Sequence, residues 1–201
     1  PLLNASDIMQ VNSNRWVIDF ATMPINQASQ YIAPFEYIKT HVKPSRDNNK
    51  RATRRDRWWQ HGEIIPSLRK GLAEANRYIA TPRVAKHRVF VWQNSNIYPD
   101  SRLLAILRSD DYFFGVLHSK IHEVWTIHQA SHHGRGNDLT YNGESCFETF
   151  PFPFVPGTED FGDPRVMAIS AAAKQLHEER HAWLNPPALT PRSNERTLTN
   201  L

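Results

Sequence analysis

One cysteine, Cys146, stands in the whole chain, which excludes an internal disulfide and a thiolate metal cluster and agrees with a reducing compartment. With no histidine partner fixed by sequence, its thiol is expected to be buried and inert. Long apolar runs are missing as well: none approaches the roughly 18 residues that a bilayer span needs. The N-terminus lacks the basic-then-apolar order of a signal peptide, so the expectation is a cytoplasmic protein with no membrane partner. No initiator methionine precedes Pro1, Leu2 and Leu3, and no terminating signal closes Thr199, Asn200 and Leu201. A piece of something longer is expected.

What remains is a chain of 201 residues, 40% hydrophobic and 22% charged, the composition of a soluble globular domain with one good core. Its net charge of +4 is unevenly spread, because Lys39 to Arg88 holds 14 Lys and Arg against 4 Asp and Glu, or +10, and the rest carries −6. A positive region of that size is the footprint of a polyanion-binding surface, and also what a solvated basic face looks like.

Ser109 to Trp125 (SDDYFFGVLHSKIHEVW) organises the reading. Ser109, Asp110 and Asp111 suit a helix start, where acceptors meet orphan amides and negative charge meets the positive end of the dipole. Phe113, Val116, Leu117, Ile121 and Val124 recur at helical steps, widened by Phe114 and Trp125 into a broad apolar face. Gly115, His118, Ser119, His122 and Thr126 form a narrow polar ridge on the same helix. His118 and His122, four apart, have the spacing of a two-histidine zinc site, although the glutamate, Glu123, follows the second histidine instead of the first. Alternatively both rings hydrogen-bond inside the fold, with Gly115 marking the close approach of another backbone.

Elsewhere, Arg15 to Phe20 alternates as a strand, and Asn26 to Val42 reads as a helical segment interrupted at Pro34 and ended by Pro44. Lys43 to Arg57 has no apolar periodicity, and seven of its fifteen residues are basic. It reads as a surface loop whose Lys43, Arg46, Lys50, Arg51, Arg54, Arg55 and Arg57 are candidates for phosphate contacts. Trp58 and Trp59 pin that loop to the core or stack on an unpaired base, and pinning is the reading preferred. Pro66 opens a short helix carrying Leu68, Leu72 and Ala75. Tyr78 to Thr81 and Arg88 to Trp92 are β-prone, and between and beside them Arg83, Lys86, His87 and Arg88 gather donors at one sheet edge, a plausible phosphate or base-edge anchor. Leu103 to Leu107 reads as a buried strand.

Gln129 to Ser145 buries almost nothing and reads as a long loop. It carries the side-chain types that read base edges, arginine for guanine, asparagine for adenine and carboxylate for cytosine. Phe147 to Phe154 alternates phenylalanine with proline, as an edge strand or polyproline-like segment. Asp163 and Pro164 start a last helix with Val166, Ile169, Ala173, Leu176 and Trp183 as its buried stripe. The tail from Asn185 is proline-rich and polar and need not fold.

The succession RWVIDF, APFEYIKTHVKPSRD, RWWQHG, RYIATPRVAKHRVFVW, RSDDYFFGVLHSKIHEVW, CFETFPFPF and RTLTNL resembles the target-recognition region of the MmeI-like bacterial enzymes, from about Trp16 to the end. These are single-chain type II restriction and modification proteins built on an adenine-specific DNA methyltransferase. The resemblance implies an α+β fold, a small mixed or antiparallel sheet packed with helices. Residues 1–157 would be the target-recognition domain and 158–201 a C-terminal helix and tail of a larger protein. It implies double-stranded DNA and the methyltransferase core of the same polypeptide as partners, with S-adenosylmethionine in the parent enzyme and no cofactor in this piece. Base contacts would come from the variable loop, hence His132, Arg135, Asn137 and Asp138. The shared Lys86, His87 and Arg88 would anchor the DNA backbone or the fold, and the shared His118, Glu123 and Trp125 would be architectural. Asn185, Pro186 and Pro187 suggest the Asn-Pro-Pro-Tyr loop that holds a flipped adenine, but Ala188 replaces the tyrosine and a helix precedes it. Methyl transfer would fall to residues outside this chain, and any nuclease activity to an upstream domain. A metal-dependent hydrolase using His118, His122 and a loop histidine, and a protein-interaction module, are the competing readings.

Overall fold

The computed structural model describes residues 1–10, 13–133, 138–186 and 197–199. In chain order the elements are β1 (Leu2–Leu3), α1 (Ala5–Met9), α2 (Ile25–Ala28), α3 (Ile32–His41), α4 (Lys43–Asp47), α5 (Ala52–Asp56), α6 (Pro66–Glu74), β2 (Arg77–Pro82), β3 (Val84–Ala85), β4 (Val91–Asn94), β5 (Tyr98–Pro99), β6 (Leu103–Ile106), α7 (Asp111–Leu117), α8 (Lys120–Gln129), β7 (Ser131–His133), β8 (Asp138–Thr140), a π-helical turn at Gly143–Phe147 and α9 (Pro164–Leu184). The chain is α+β, with small sheets packed against helices and a long C-terminal helix. It divides into two compact units, residues 1–15 with 70–201, and residues 16–69.

The larger unit is built on the antiparallel order β4-β2-β6, with Ile79 opposite both Trp92 and Ile106. Tyr78, Ile79, Ala80 and Thr81 are wholly buried, as a central strand covered on both faces must be. A second sheet, β3-β8-β7, is also antiparallel, and β1 pairs with β5 in parallel. The core gathers Ile79, Phe90, Phe113, Phe114, Leu117, Tyr141, Cys146 and Ala173. Cys146 is fully buried, as expected of an inert thiol. Phe150 and Phe152 close this core with an edge-to-face ring pair at 4.9 Å, and the segment holding them joins no ladder.

The helix expected over Ser109 to Trp125 is two helices. Asp110 caps α7, its carboxylate accepting from the Phe113 amide at 2.8 Å, and the helix ends after Leu117. Ser119 then caps α8, its Oγ accepting from the His122 amide at 3.2 Å. A new cap resets the helical phase. Ile121 and Val124, expected in the buried face, are therefore 73% and 45% exposed, and Ile127 joins them in an open apolar face beside half-buried Trp125. Gly115 does mark a close approach: a Cβ there would lie 2.8 Å from Ile169 Cγ2 and 3.1 Å from the Ile169 carbonyl oxygen, so α7 and α9 pack nearly backbone to backbone.

Asp163 caps α9 and Pro164 occupies its first turn. The buried stripe departs from expectation toward its end. Val166 and Ala173 are buried, but Leu176 and Trp183 are 41% and 37% exposed and the stripe continues instead through Arg180 and Leu184. Helical spacing from Ala173 leads to residues 177, 180 and 184, whereas hydrophobicity alone picks out residues one place away. Beyond the helix, Thr197 and Leu198 are buried, and the Thr199 amide donates to the Met9 carbonyl at 3.2 Å.

In the smaller unit, Phe20, Ala28, Phe35, Ile38 and Trp58 form the core. The strand expected at Arg15 to Phe20 is absent: no ladder forms there, Trp16 is exposed and only Phe20 is buried. Pro34 lies in the first turn of α3, where its missing N–H is not needed, so it does not interrupt the helix. Pro44 likewise falls in the first turn of α4. The stretch expected to be a loop thus holds two short helices, α4 and α5, neither with a buried residue. Trp58 and Trp59 do pin it: Trp58 packs 5.3 Å from the Phe35 ring and Trp59 Nε1 donates to the Met23 carbonyl at 2.8 Å.

Candidate nucleic-acid interface

The β3-β8-β7 sheet brings together two groups of predicted site residues that lie about fifty positions apart in sequence. Val84 pairs with Thr140 and Ala85 with Leu139, while His132 pairs with Leu139 and His133 with Asp138. The expected long loop is therefore partly a hairpin, hung on the short strand that carries the basic connection. Lys86 and His87 follow directly from the paired Ala85 and are exposed. His132 is exposed and Asp138 half-buried on the neighbouring strands. Arg135 and Asn137, named as base readers, lie outside the described residues.

The four basic residues of this connection have different fates. Arg83 is exposed, with its Nε donating to the Ser101 carbonyl at 2.9 Å and its own carbonyl accepting from the Tyr141 amide at 2.7 Å. Arg88 turns inward. Its guanidinium donates to Thr81 Oγ1 at 3.0 Å, to the Pro82 carbonyl and to the Leu139 carbonyl at 3.2 Å, and sits 4.9 Å from the Tyr141 ring centroid. Burial pulls its pKa down to about 10, so the charge is held by backbone acceptors and a ring face, not by an acid. These bonds tie β2 to β8.

His118 and His122 also serve the interior. His118 Nε2 donates to the Phe90 carbonyl at 3.0 Å. His122 is fully buried; Nδ1 donates to the Leu117 carbonyl at 2.8 Å and Nε2 accepts from the Tyr141 hydroxyl at 3.1 Å, which requires the neutral ring. Burial lowers both pKa values to about 4, and the Arg88 charge adds to the effect at His122. With both nitrogens of His122 committed, the shared zinc ion suggested by the spacing would have to break these bonds. Among the described residues no group of three or more His, Cys, Asp or Glu is placed to hold a metal ion.

In the smaller unit the basic stretch is at the surface. Lys43 pairs with Asp47 at 2.7 Å, Arg54 with Glu63 at 3.2 Å and Arg55 with Asp56 at 3.4 Å. Arg46 is half-buried, its Nη1 close against Gly62. Lys50, Arg51 and Arg57 are exposed and carry no ion pair among the described residues. Among the described residues no helix is long and apolar enough to cross a membrane.

The α+β arrangement of these elements recurs within a restriction-modification enzyme. A solved structure of the Type IIL restriction-modification enzyme MmeI in complex with DNA matches 99% of this chain with a TM-score of 0.73 at 14% identity. The match spans 24% of the MmeI chain, so what is shared is the fold of one segment of that protein. No protein-family model and no curated protein matches the chain in sequence.

Proposed function

We propose that this chain is the target-recognition domain of a restriction-modification enzyme and selects the duplex DNA sequence on which the parent protein acts. In this reading the parent is a DNA adenine-N6 methyltransferase, its core holds S-adenosylmethionine, and this piece supplies no catalytic group. The observation that carries the reading is the β3-β8-β7 sheet, which holds exposed Lys86 and His87 beside the His132 and Asp138 hairpin. Basic side chains of this kind fix a protein on phosphates, while side chains on a neighbouring hairpin reach base edges. The fold shared with a segment of a DNA-bound restriction-modification enzyme supports it. Residues 43–57 add phosphate contacts through Lys50, Arg51 and Arg57, joined by the other cations of that stretch wherever a phosphate displaces their carboxylate partners.

The test is sequence choice. In the full-length parent protein, His132→Ala, Arg135→Ala, Asn137→Ala and Asp138→Ala are each expected to change which DNA sites become methylated. Removing a bidentate hydrogen bond to a base should cost about 1–3 kcal/mol of discrimination. Sequencing of methylated sites that shows an unaltered pattern in all four variants would overturn the assignment of the hairpin.

A further inference from the structure

Arg180 lies on the inward face of α9. It is only 9% exposed, yet it makes no hydrogen bond or ion pair among the described residues. Its guanidinium carbon lies 5.7 Å from the Phe114 ring centroid, a contact that uses none of its N–H donors. None of its nitrogens is among the buried atoms that lack a partner, so the guanidinium reaches solvent from a buried stem. The acids nearest in sequence are engaged elsewhere, Glu178 with Lys174 and Glu179 with Gln175. A guanidinium fixed by a buried stem, with its donors open to solvent and no acid beside it, is a ready partner for an anion.

Two histidines of the same helix are its neighbours. The His177 ring meets the same Phe114 at 6.3 Å edge-on, and His181 follows one turn later with its ring 6.3 Å from that of His177. His177 Nδ1 is buried and has no partner among the described residues. Arg180, His181 and Arg77 all act on His177 to disfavour its protonated form, beyond the effect of burial, and Asp111 alone opposes them. Asp111 is already taken by Arg77 at 2.9 Å, and Arg77 lies over Trp92, which is stacked on Phe114 at 4.8 Å.

We propose that Arg180, with His177 and His181, forms a phosphate-binding site on α9. The planar guanidinium fork matches two oxygens of a phosphate, and the imidazole N–H groups can donate to the others. The source of the phosphate is either the backbone of duplex DNA, which rests on the function proposed above, or free phosphate.

The test follows the His177 and His181 imidazole resonances by NMR while inorganic phosphate is added to the whole chain, unaltered and as Arg180→Gln. In parallel, affinity for a mixed-sequence duplex is measured against salt. Phosphate should shift both resonances in the unaltered chain and not in the variant. If the phosphate belongs to DNA, the slope of log affinity against log salt should also fall by about 0.9 in the variant. Resonance shifts with an unchanged slope assign the site to free phosphate. Shifts in a chain that binds no duplex sustain the site while removing the DNA reading. No shift and no change of slope overturns the proposal, as it would if Arg180 instead met a carboxylate elsewhere in the parent polypeptide. Should circular dichroism show Arg180→Gln to be misfolded, His181→Gln, at an exposed position, takes its place and is read at the His177 resonance alone: the phosphate-induced shift there should weaken, and a shift equal to that of the unaltered chain overturns the site.

Discussion

Residues 43–57 and residues 83–88 contribute to the same count of positive charge and use it in opposite ways. In the first stretch the cations stand on and beside two short helices with no buried residue. Several are exposed with no ion pair among the described residues, and others are tied to carboxylates that solvent can reach. In the second, Lys86 and His87 remain outside while Arg88 commits its guanidinium to three internal acceptors and a ring face. Net charge measures composition, and composition is blind to which way a side chain turns.

The contrast breaks first at Arg88. Arg88→Gln is expected to lower unfolding free energy by about 3 kcal/mol, since buried acceptors lose a charged donor, with a urea midpoint as the measurement. A midpoint equal to that of the unaltered chain would return Arg88 to the surface group. Gly115→Val comes next, because α9 cannot yield where the added carbon would lie 2.8 Å from Ile169 Cγ2. A loss of about 2 kcal/mol in the same measurement is expected.

The buried histidines His118 and His122 sharpen the comparison through pH. Their pKa values near 4 in the folded chain lie below the ordinary 6.5, so between those values the unfolded chain binds more protons. Stability is complete above about pH 6.5 and falls as pH drops toward 4, by on the order of 3 kcal/mol for each histidine. Unfolding midpoints at about pH 7 and about pH 5 check the sign, and His118→Gln with His122→Gln should flatten the difference. The smallest effect on stability belongs to the exposed stretch. Replacing Lys50, Arg51 and Arg57 by alanine should move the midpoint by less than about 0.5 kcal/mol. Under the proposed function it should also weaken the salt dependence of duplex binding by about 0.9 for each phosphate no longer neutralised.

Much of the architecture was legible locally. The carboxylate at Asp110, the Asp163–Pro164 pair and Pro66 mark helix starts through chemistry confined to a few neighbouring residues. The β-prone runs around Ile79 and Trp92 pair as expected. Gly115 announced a close approach because an internal helix glycine needs a reason. The break at Ser119 was less visible, since a serine can cap a helix or ride on one, and which it does depends on what packs against Leu117 and His122.

Along the chain itself, the residue order determined helix starts, the central strand, the buried thiol of Cys146 and the segregation of charge, all properties of short-range chemistry and amount. Only the tertiary structure decided that Arg88 faces inward, that Ile121 faces outward, that the Lys86 connection lies beside the His132 hairpin, and that α9 buries Arg180 in place of Leu176. Each of those depends on a partner far away in sequence, and burial and hydrogen bonding are settled by such partners once the chain has closed around them.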